Sequence, residues 1–275
     1  MEDELVLLGG DLRMHWAARE LRRQGRAVIT CCVPHEPEQP LPHRISTLVL
    51  PFPAFQGERI RGASTPGVKE ILPALQPGSR VFGGLLEPWA AAFGERGAQC
   101  CELYGSEPLT TANAALTAEG AMALAMQHLP ITLEGMHCLV IGFGRIGKLL
   151  ARKLSALGAE VRVSARSVSD RAMAEALGYG SEETGHYHHG LSAYELILNT
   201  VPHRILTASQ LAGVREDCLL VELASQPGGI PRDSCEALGL SYLAAPGLPG
   251  SYAPKTAGIL YARSILAGSE GKDGH

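Results

Sequence analysis

The feature that most constrains this chain is the run Gly142-Phe143-Gly144-Arg145-Ile146-Gly147. An apolar stretch at 137–141 precedes it and reads as a strand. Helical periodicity over 146–157 follows, and a second strand-like run occupies 160–164. Glycines at this spacing are weak evidence alone, but between a strand and a helix they form the turn of a dinucleotide-binding unit. Gly142 permits the tight turn and Gly144 lets backbone approach a pyrophosphate. Gly147 lets helix and strand pack closely, and Arg145 and Ile146 open the helix whose positive end faces the phosphates.

The end of the second strand points to the cofactor. NAD binders usually place Asp or Glu there to accept from the ribose hydroxyls. This sequence reads Val163-Ser164-Ala165-Arg166-Ser167, with no acid before Asp170. Arg166 can pair with a 2′-phosphate, and Ser164 or Ser167 can donate to it. The expected cofactor is therefore NADP.

The rest of the sequence repeats the alternation of short apolar runs and helical stretches, so the predicted fold is α/β, with two Rossmann-like, doubly wound parallel-sheet domains. The first domain spans 1–112. Its strands are expected at 5–8, 27–33, 45–50, 80–82 and 99–103, and its helices at 13–24, 68–75 and 87–95. A long helix at 113–127 opens the NADP-binding domain, 113–250. Further strands are expected at 196–199, 219–223 and 241–245, and helices at 170–177, 208–211 and 232–238. A final helix at 254–267 is expected to return to the first domain, and the polar tail at 268–275 to fray. Four prolines mark 34–42 as a loop.

Three segments follow strands of the second domain, at the carboxyl ends where ligands of open α/β sheets bind. These are Asn199-Thr200-Val201-Pro202, Glu222-Leu223-Ala224-Ser225-Gln226-Pro227-Gly228-Gly229, and Ala245-Pro246-Gly247-Leu248-Pro249-Gly250 leading to Lys255 and Thr256. Gly and Pro fix such loops while leaving backbone open to a ligand.

Composition narrows the class. The chain has 275 residues, 45% hydrophobic and 19% charged, with a net charge of −4, which suits globular domains and disfavours nucleic-acid binding. No apolar run approaches a membrane span, and the acidic Met1-Glu2-Asp3-Glu4 is unlike a basic signal-peptide start. Seven cysteines without a CxxC spacing read as buried reduced thiols, which places the protein in the cytosol. His186, His188 and His189 invite a metal reading, but ligands at helical spacing are missing and no metal is expected. Trp16, Trp89 and the Met122/Met126 pair read as core.

The motifs together resemble the dehydrogenase (A) subunits of dipicolinate synthase, the family that makes pyridine-2,6-dicarboxylate in spore-forming bacteria. The resemblance runs over nearly the whole sequence. It takes in Gly9-Gly10-Asp11 with Arg13, Thr117-Ala118-Glu119-Gly120 with Met122 and Gln127-His128, GFGRIG, Ala165-Arg166-Ser167, Asn199-Thr200-Val201-Pro202, and Ala224 to Gly229. Most specific are Ala245 to Gly250 and Ala253-Pro254-Lys255-Thr256-Ala257-Gly258. The segment 180–190 and the pair His203-Arg204 belong to no motif of that family.

The resemblance implies NADP-linked oxidation of dihydrodipicolinate to dipicolinate in the mother-cell cytosol. It also implies a partner, the flavin-binding (B) subunit of dipicolinate synthase; a homo-oligomer is compatible as well. The wider arrangement is similar to that of formate/glycerate (D-2-hydroxyacid) dehydrogenases. Those enzymes carry a catalytic Arg where this sequence has Gln226-Pro227 and a catalytic His where it has Pro246-Gly247, so hydroxyacid chemistry is not expected.

A dicarboxylate needs cations or donor clusters. Lys255, Thr256, Ser225 and the backbone amides of Gly228, Gly229 and Gly250 are the candidates, with Arg13 for the outer carboxylate. Lys255, Glu119 and Asp11 are the candidate catalytic groups; Asp11 can instead cap a helix, and Glu119 can pair with a cation. Two other functions fit the motifs less fully: an NADP-dependent dehydrogenase of another small imino or keto acid, and a non-catalytic NADP-binding regulatory protein.

Overall fold

The central strands of each half are buried on both faces, as expected where helices cover a parallel sheet. The computed structural model describes residues 4–269. The first three residues of the acidic start and all of the expected tail beyond Ser269 lie outside the described residues. The chain divides into two units. One comprises residues 1–113 with 253–275, and the other runs Ala114–Tyr252.

The first unit opens with β1 (Leu5–Leu8), α1 (Leu12–Arg23), β2 (Val28–Cys31) and β3 (Ile45–Val49). A small antiparallel pair, β4 (Phe55–Gln56) and β5 (Arg59–Ile60), and the short helix α2 (Val68–Ile71) come next. Then follow β6 (Leu75–Gly83), α3 (Ala90–Glu95), β7 (Gln99–Glu102) and the start of α4 (Glu107–His128). The strands form one parallel sheet in the order β2-β1-β3-β6-β7, with the flavodoxin-like switch beside β1.

The second unit holds the rest of α4, then β8 (His137–Ile141), α5 (Arg145–Ala156), β9 (Glu160–Ala165), α6 (Val168–Ala176) and β10 (Gly180–Glu183). Next come β11 (Leu196–Asn199), α7 (Ala208–Leu211), β12 (Leu219–Glu222), α8 (Arg232–Ala237), β13 (Ser241–Ala244) and α9 (Leu248–Tyr252). The sheet order β10-β9-β8-β11-β12-β13 is the Rossmann order, with its switch point between β8 and β11.

The amphipathic helices obey their sequence. Helix α5 buries Gly147, Leu150, Ala151 and Leu154, one stripe at helical spacing. Each fully buried Leu is worth about 1.5–3 kcal/mol. Helix α1 buries Met14, Ala17, Ala18 and Leu21 in the same pattern. The last helix, α10 (Pro254–Ser269), packs on α1 within the first unit. Gly258 makes this approach possible: a Cβ there would collide with the Arg13 carbonyl oxygen and stand 2.7 Å from the Trp16 Cβ. The buried Tyr261 hydroxyl then donates to the Leu50 carbonyl at 2.6 Å, tying α10 to the end of β3.

Several expectations need correction. The helix expected at 68–75 ends at Ile71; Pro73 lies in a 3₁₀ turn, and Leu75 already begins a strand that runs to Gly83. The segment 180–190 is not all loop, because Gly180–Glu183 pairs with β9 as an edge strand. The expected loop at 245–250 turns helical from Leu248, with Pro249 tolerated in the first turn. Trp16 is half-buried, and Met126 is 54% exposed while Met122 is buried. Cys31 is buried as expected, but Cys32, Cys100 and Cys101 are half-buried; all seven thiols are free. Burial pushes the Cys138 thiol up to about 12, which leaves it inert.

Candidate active site

The dinucleotide turn sits at the switch point of the second sheet. Gly142 takes a φ of 98° and donates its N–H to the Ser164 carbonyl at 2.8 Å. A Cβ on Gly142 would strike Thr200 Oγ1, and one on Gly147 would overlap the Gly142 carbonyl oxygen. Gly144 has nothing within 4 Å of where a Cβ would be. Two glycines therefore close the turn and the third leaves open space before the helix N-terminus. That is the cradle a pyrophosphate requires. Thr200 Oγ1 donates to the Ile141 carbonyl at 2.9 Å, joining the loop after β11 to the loop after β8.

An open groove of about 630 Å³ runs from this turn. Its walls are Gly142, Phe143, Gly144, Ala165, Arg166, Ser167, Thr200, Val201 and Pro202, with Asp170, Thr184 and Ile205. The volume lies within the usual range of ligand clefts, about 300–1,000 Å³. Arg145, Ile146, Gly147 and Ala224 do not line it. The first two begin α5, Gly147 packs on the turn, and the Ala224 N–H bonds Glu222 Oε1 at 3.0 Å.

At the far strand, Arg166 is exposed, and its carbonyl accepts from Arg171 Nη1 at 2.8 Å. Ser167 caps α6. Ser164 cannot meet a phosphate as expected. It is fully buried, and its hydroxyl bonds Thr184 Oγ1 at 3.0 Å. Asp170 stands too far along the sequence to end the strand as an NAD-type acid would. It still reaches the groove, because it lies in the first turn of α6.

A buried carboxylate that heads one of the three segments, but to which the sequence gives no role, organises the next loops. Glu222 is 5% exposed. Its Oε1 accepts from Asn199 Nδ2 at 2.7 Å, and its Oε2 accepts from the amides of Gly229 at 2.8 Å and Ile230 at 2.9 Å. The Gly228 N–H donates to the Ser225 carbonyl, and the Gly250 N–H to that of Gly247. The amides of Gly228, Gly229 and Gly250 are thus committed within the protein and are not open donors for a substrate. Ser225 is exposed. The signal for Glu222 in the sequence is a lone acid ending a buried strand.

The remaining candidates divide between the units. In the first, Asp11 caps α1, and its carboxylate takes Arg13 Nε and Nη2 at 2.7 to 3.1 Å. Burial pushes the Asp11 carboxyl up, but the Arg13 bonds and the charges of Arg13 and Arg61 outweigh it and hold it below its ordinary value. A carboxylate held below its ordinary value by a guanidinium is a weaker base, so Asp11 fits its capping and clamping role better than catalysis. Arg13 and Asp11 line a narrow pocket with Phe52, Leu109, Asn113 and Tyr261. Lys255 and Thr256 stand exposed in the first turn of α10, with the Lys255 Nζ 5.0 Å from the Trp16 ring centroid. In the second unit, Glu119 pairs with Lys153 of α5 at 2.8 Å near the surface.

The histidine segment has a structural account. Glu182 is 2% exposed and accepts from the His188 N–H, His189 Nδ1 and the Tyr194 hydroxyl. Among the described residues no cluster of His, Cys, Asp and Glu is placed to hold a metal.

Residues 109–225 match the family described as D-isomer specific 2-hydroxyacid dehydrogenase, NAD binding domain. Over 98% of its length the chain is 28% identical to the dipicolinate synthase A subunit of Bacillus subtilis (strain 168), covering 98% of that protein. The crystal structure of the B. subtilis protein superposes with a TM-score of 0.82 at 28% identity, covering all of this chain and 98% of the other. The corresponding protein of Bacillus halodurans gives a TM-score of 0.86 at 25% identity, with 97% of each chain covered. The protein is similar to the A subunits of dipicolinate synthase throughout its length. This similarity and the dinucleotide-binding domain support an oxidoreductase that takes a nicotinamide dinucleotide. The loop after β12 presents Gln226 and Pro227, and the loop after β13 Pro246 and Gly247, with neither guanidinium nor imidazole at those points.

Proposed function

We propose that this protein oxidises dihydrodipicolinate to dipicolinate with NADP, as the dehydrogenase component of a dipicolinate synthase in the cytosol of a sporulating mother cell. The observation that carries the reading is a dinucleotide groove together with two held cations, Arg13 and Lys255, on a chain similar throughout to the A subunits of that enzyme. The reaction moves one hydride and one proton out of the dihydropyridine ring and leaves an aromatic ring. When bound, the nicotinamide supplies the hydride acceptor.

The protein's task is then positioning, since aromatisation drives the chemistry. Lys255 takes one substrate carboxylate, with its neighbour Thr256 as a hydroxyl donor. Arg13, held on one edge by Asp11, turns its remaining N–H groups to the other carboxylate. Asp11 and Glu119 are both ion-paired, and Lys255 is the candidate without a carboxylate partner among the described residues. A flavin-binding second protein completes the proposed assembly.

Cofactor choice rests on Arg166 and Ser167 at the rim of the groove. Titration of the protein with NADPH and NADH tests it. NADPH should bind more tightly, and Arg166→Ala should weaken NADPH by about 10–100-fold, the usual size of a charged hydrogen bond, while leaving NADH nearly unchanged. Tighter binding of NADH to the unaltered protein would refute the assignment.

A further inference from the structure

The two cations of the first unit are held in different ways. Arg13 gives Nε and Nη2 to the Asp11 carboxylate, so one edge of its guanidinium is spent. Lys255 has no such counterion among the described residues; its recorded partner is the ring of Trp16. An indole face attracts an ammonium through its quadrupole. It takes up neither the charge nor the three N–H donors, which stay open to an arriving anion.

The ring is itself well placed to act as a seat. Trp16 stands half-buried in α1, against the face of α10 that carries Gly258, where a Cβ would come within 2.7 Å of the Trp16 Cβ. The His15 ring packs edge-on at 5.1 Å, and the Arg19 guanidinium lies 5.0 Å from the same indole. A lysine stem is long and freely rotating, so restricting it before the substrate arrives strengthens binding without adding a contact.

We propose that Trp16 is a positioning residue that holds the Lys255 ammonium ready for a carboxylate of the substrate. The proposal rests on the reading of Lys255 given above. It also accounts for a tryptophan left half-exposed beside two cations.

A double-mutant cycle tests it, with dipicolinate Kd measured in the presence of NADP for the unaltered protein, Trp16→Leu, Lys255→Ala and the double variant. Trp16→Leu should raise Kd by about 5-fold, the scale of one exposed cation–π contact. Trp16→Phe should recover most of that loss. In the Lys255→Ala protein, Trp16→Leu should add nothing. The same loss in both backgrounds, or a Phe variant as weak as Leu, would overturn the positioning role.

Should Trp16→Leu fold poorly, Trp16 fluorescence in a Trp89→Phe background gives a second readout. Dipicolinate should perturb that emission when Lys255 is present and not when it is replaced by Ala; an equal response in both overturns the proposal. If Lys255→Ala leaves dipicolinate affinity and turnover untouched, the reading of Lys255 itself fails, which is a separate result.

Discussion

At the residue scale, the site turns on which charges are already committed. Asp11 is paired with Arg13 and Glu119 with Lys153, and Lys255 does not share in these pairs. Replacing Lys255 by Ala should therefore cut turnover by at least about 100-fold, as removal of a charge clamp does elsewhere. NADPH affinity should stay within about two-fold, since Lys255 is not among the residues that line the groove. Steady-state rates with a parallel NADPH titration check both halves.

Asp11 gives a pH-dependent prediction. Its folded carboxyl titrates below the ordinary value of 3.8. The stability it contributes is therefore present above the unfolded value and lost as pH falls through the folded one. Thermal melts of the unaltered protein and Asp11→Asn should differ at neutral pH and converge in strong acid. A gap that widens toward acid would contradict the sign.

At the scale of elements, Glu222 matters most. Its carboxylate closes the end of β12 and gathers donors from Asn199 at the end of β11 and from the loop at 224–230. Glu222→Gln would turn an amide donor toward two buried N–H groups or toward Asn199. Leaving such donors unsatisfied costs about 1–3 kcal/mol each. Calorimetry should show a melting point lower by roughly 5 °C. An unchanged melting point would mean that another group takes up the amides.

These loops also show why the site is only partly legible in the sequence. Gly142, Gly144 and Gly147 can be read because each answers a local demand of one turn, and the turn carries its own spacing. Gly229 cannot. It is small because a Cβ would meet Asn199 Nδ2 at 2.5 Å, and Asn199 lies on another strand. Ser164 reads as available for a phosphate because alternation along β9 does not reveal Thr184 beyond it. The edge strand β10 escapes a sequence reading for a related reason: Gly180-Ser181-Glu182-Glu183 lacks β-branched residues and is held by its pairing with β9.

At the scale of the whole molecule, the alternation of strands and helices is enough to give two parallel sheets, because central parallel strands read as near-continuous apolar runs and most of their crossovers are helices. The order of the strands is a tertiary fact, and only the glycine turn hints at it by marking β8 as a first strand. No helix among the described residues is long and apolar enough to cross a membrane.

The proposed activity couples loss of a hydride from a dihydropyridine dicarboxylate to reduction of a nicotinamide dinucleotide. The direct measurement is the ultraviolet spectrum of a reaction in which dihydrodipicolinate is generated in situ and mixed with the protein, the proposed flavin-binding partner and NADP. The absorption of dipicolinate and that of NADPH should grow together, mole for mole. Dipicolinate that forms no faster than without the protein, or that accumulates with no reduced nicotinamide, would contradict this activity.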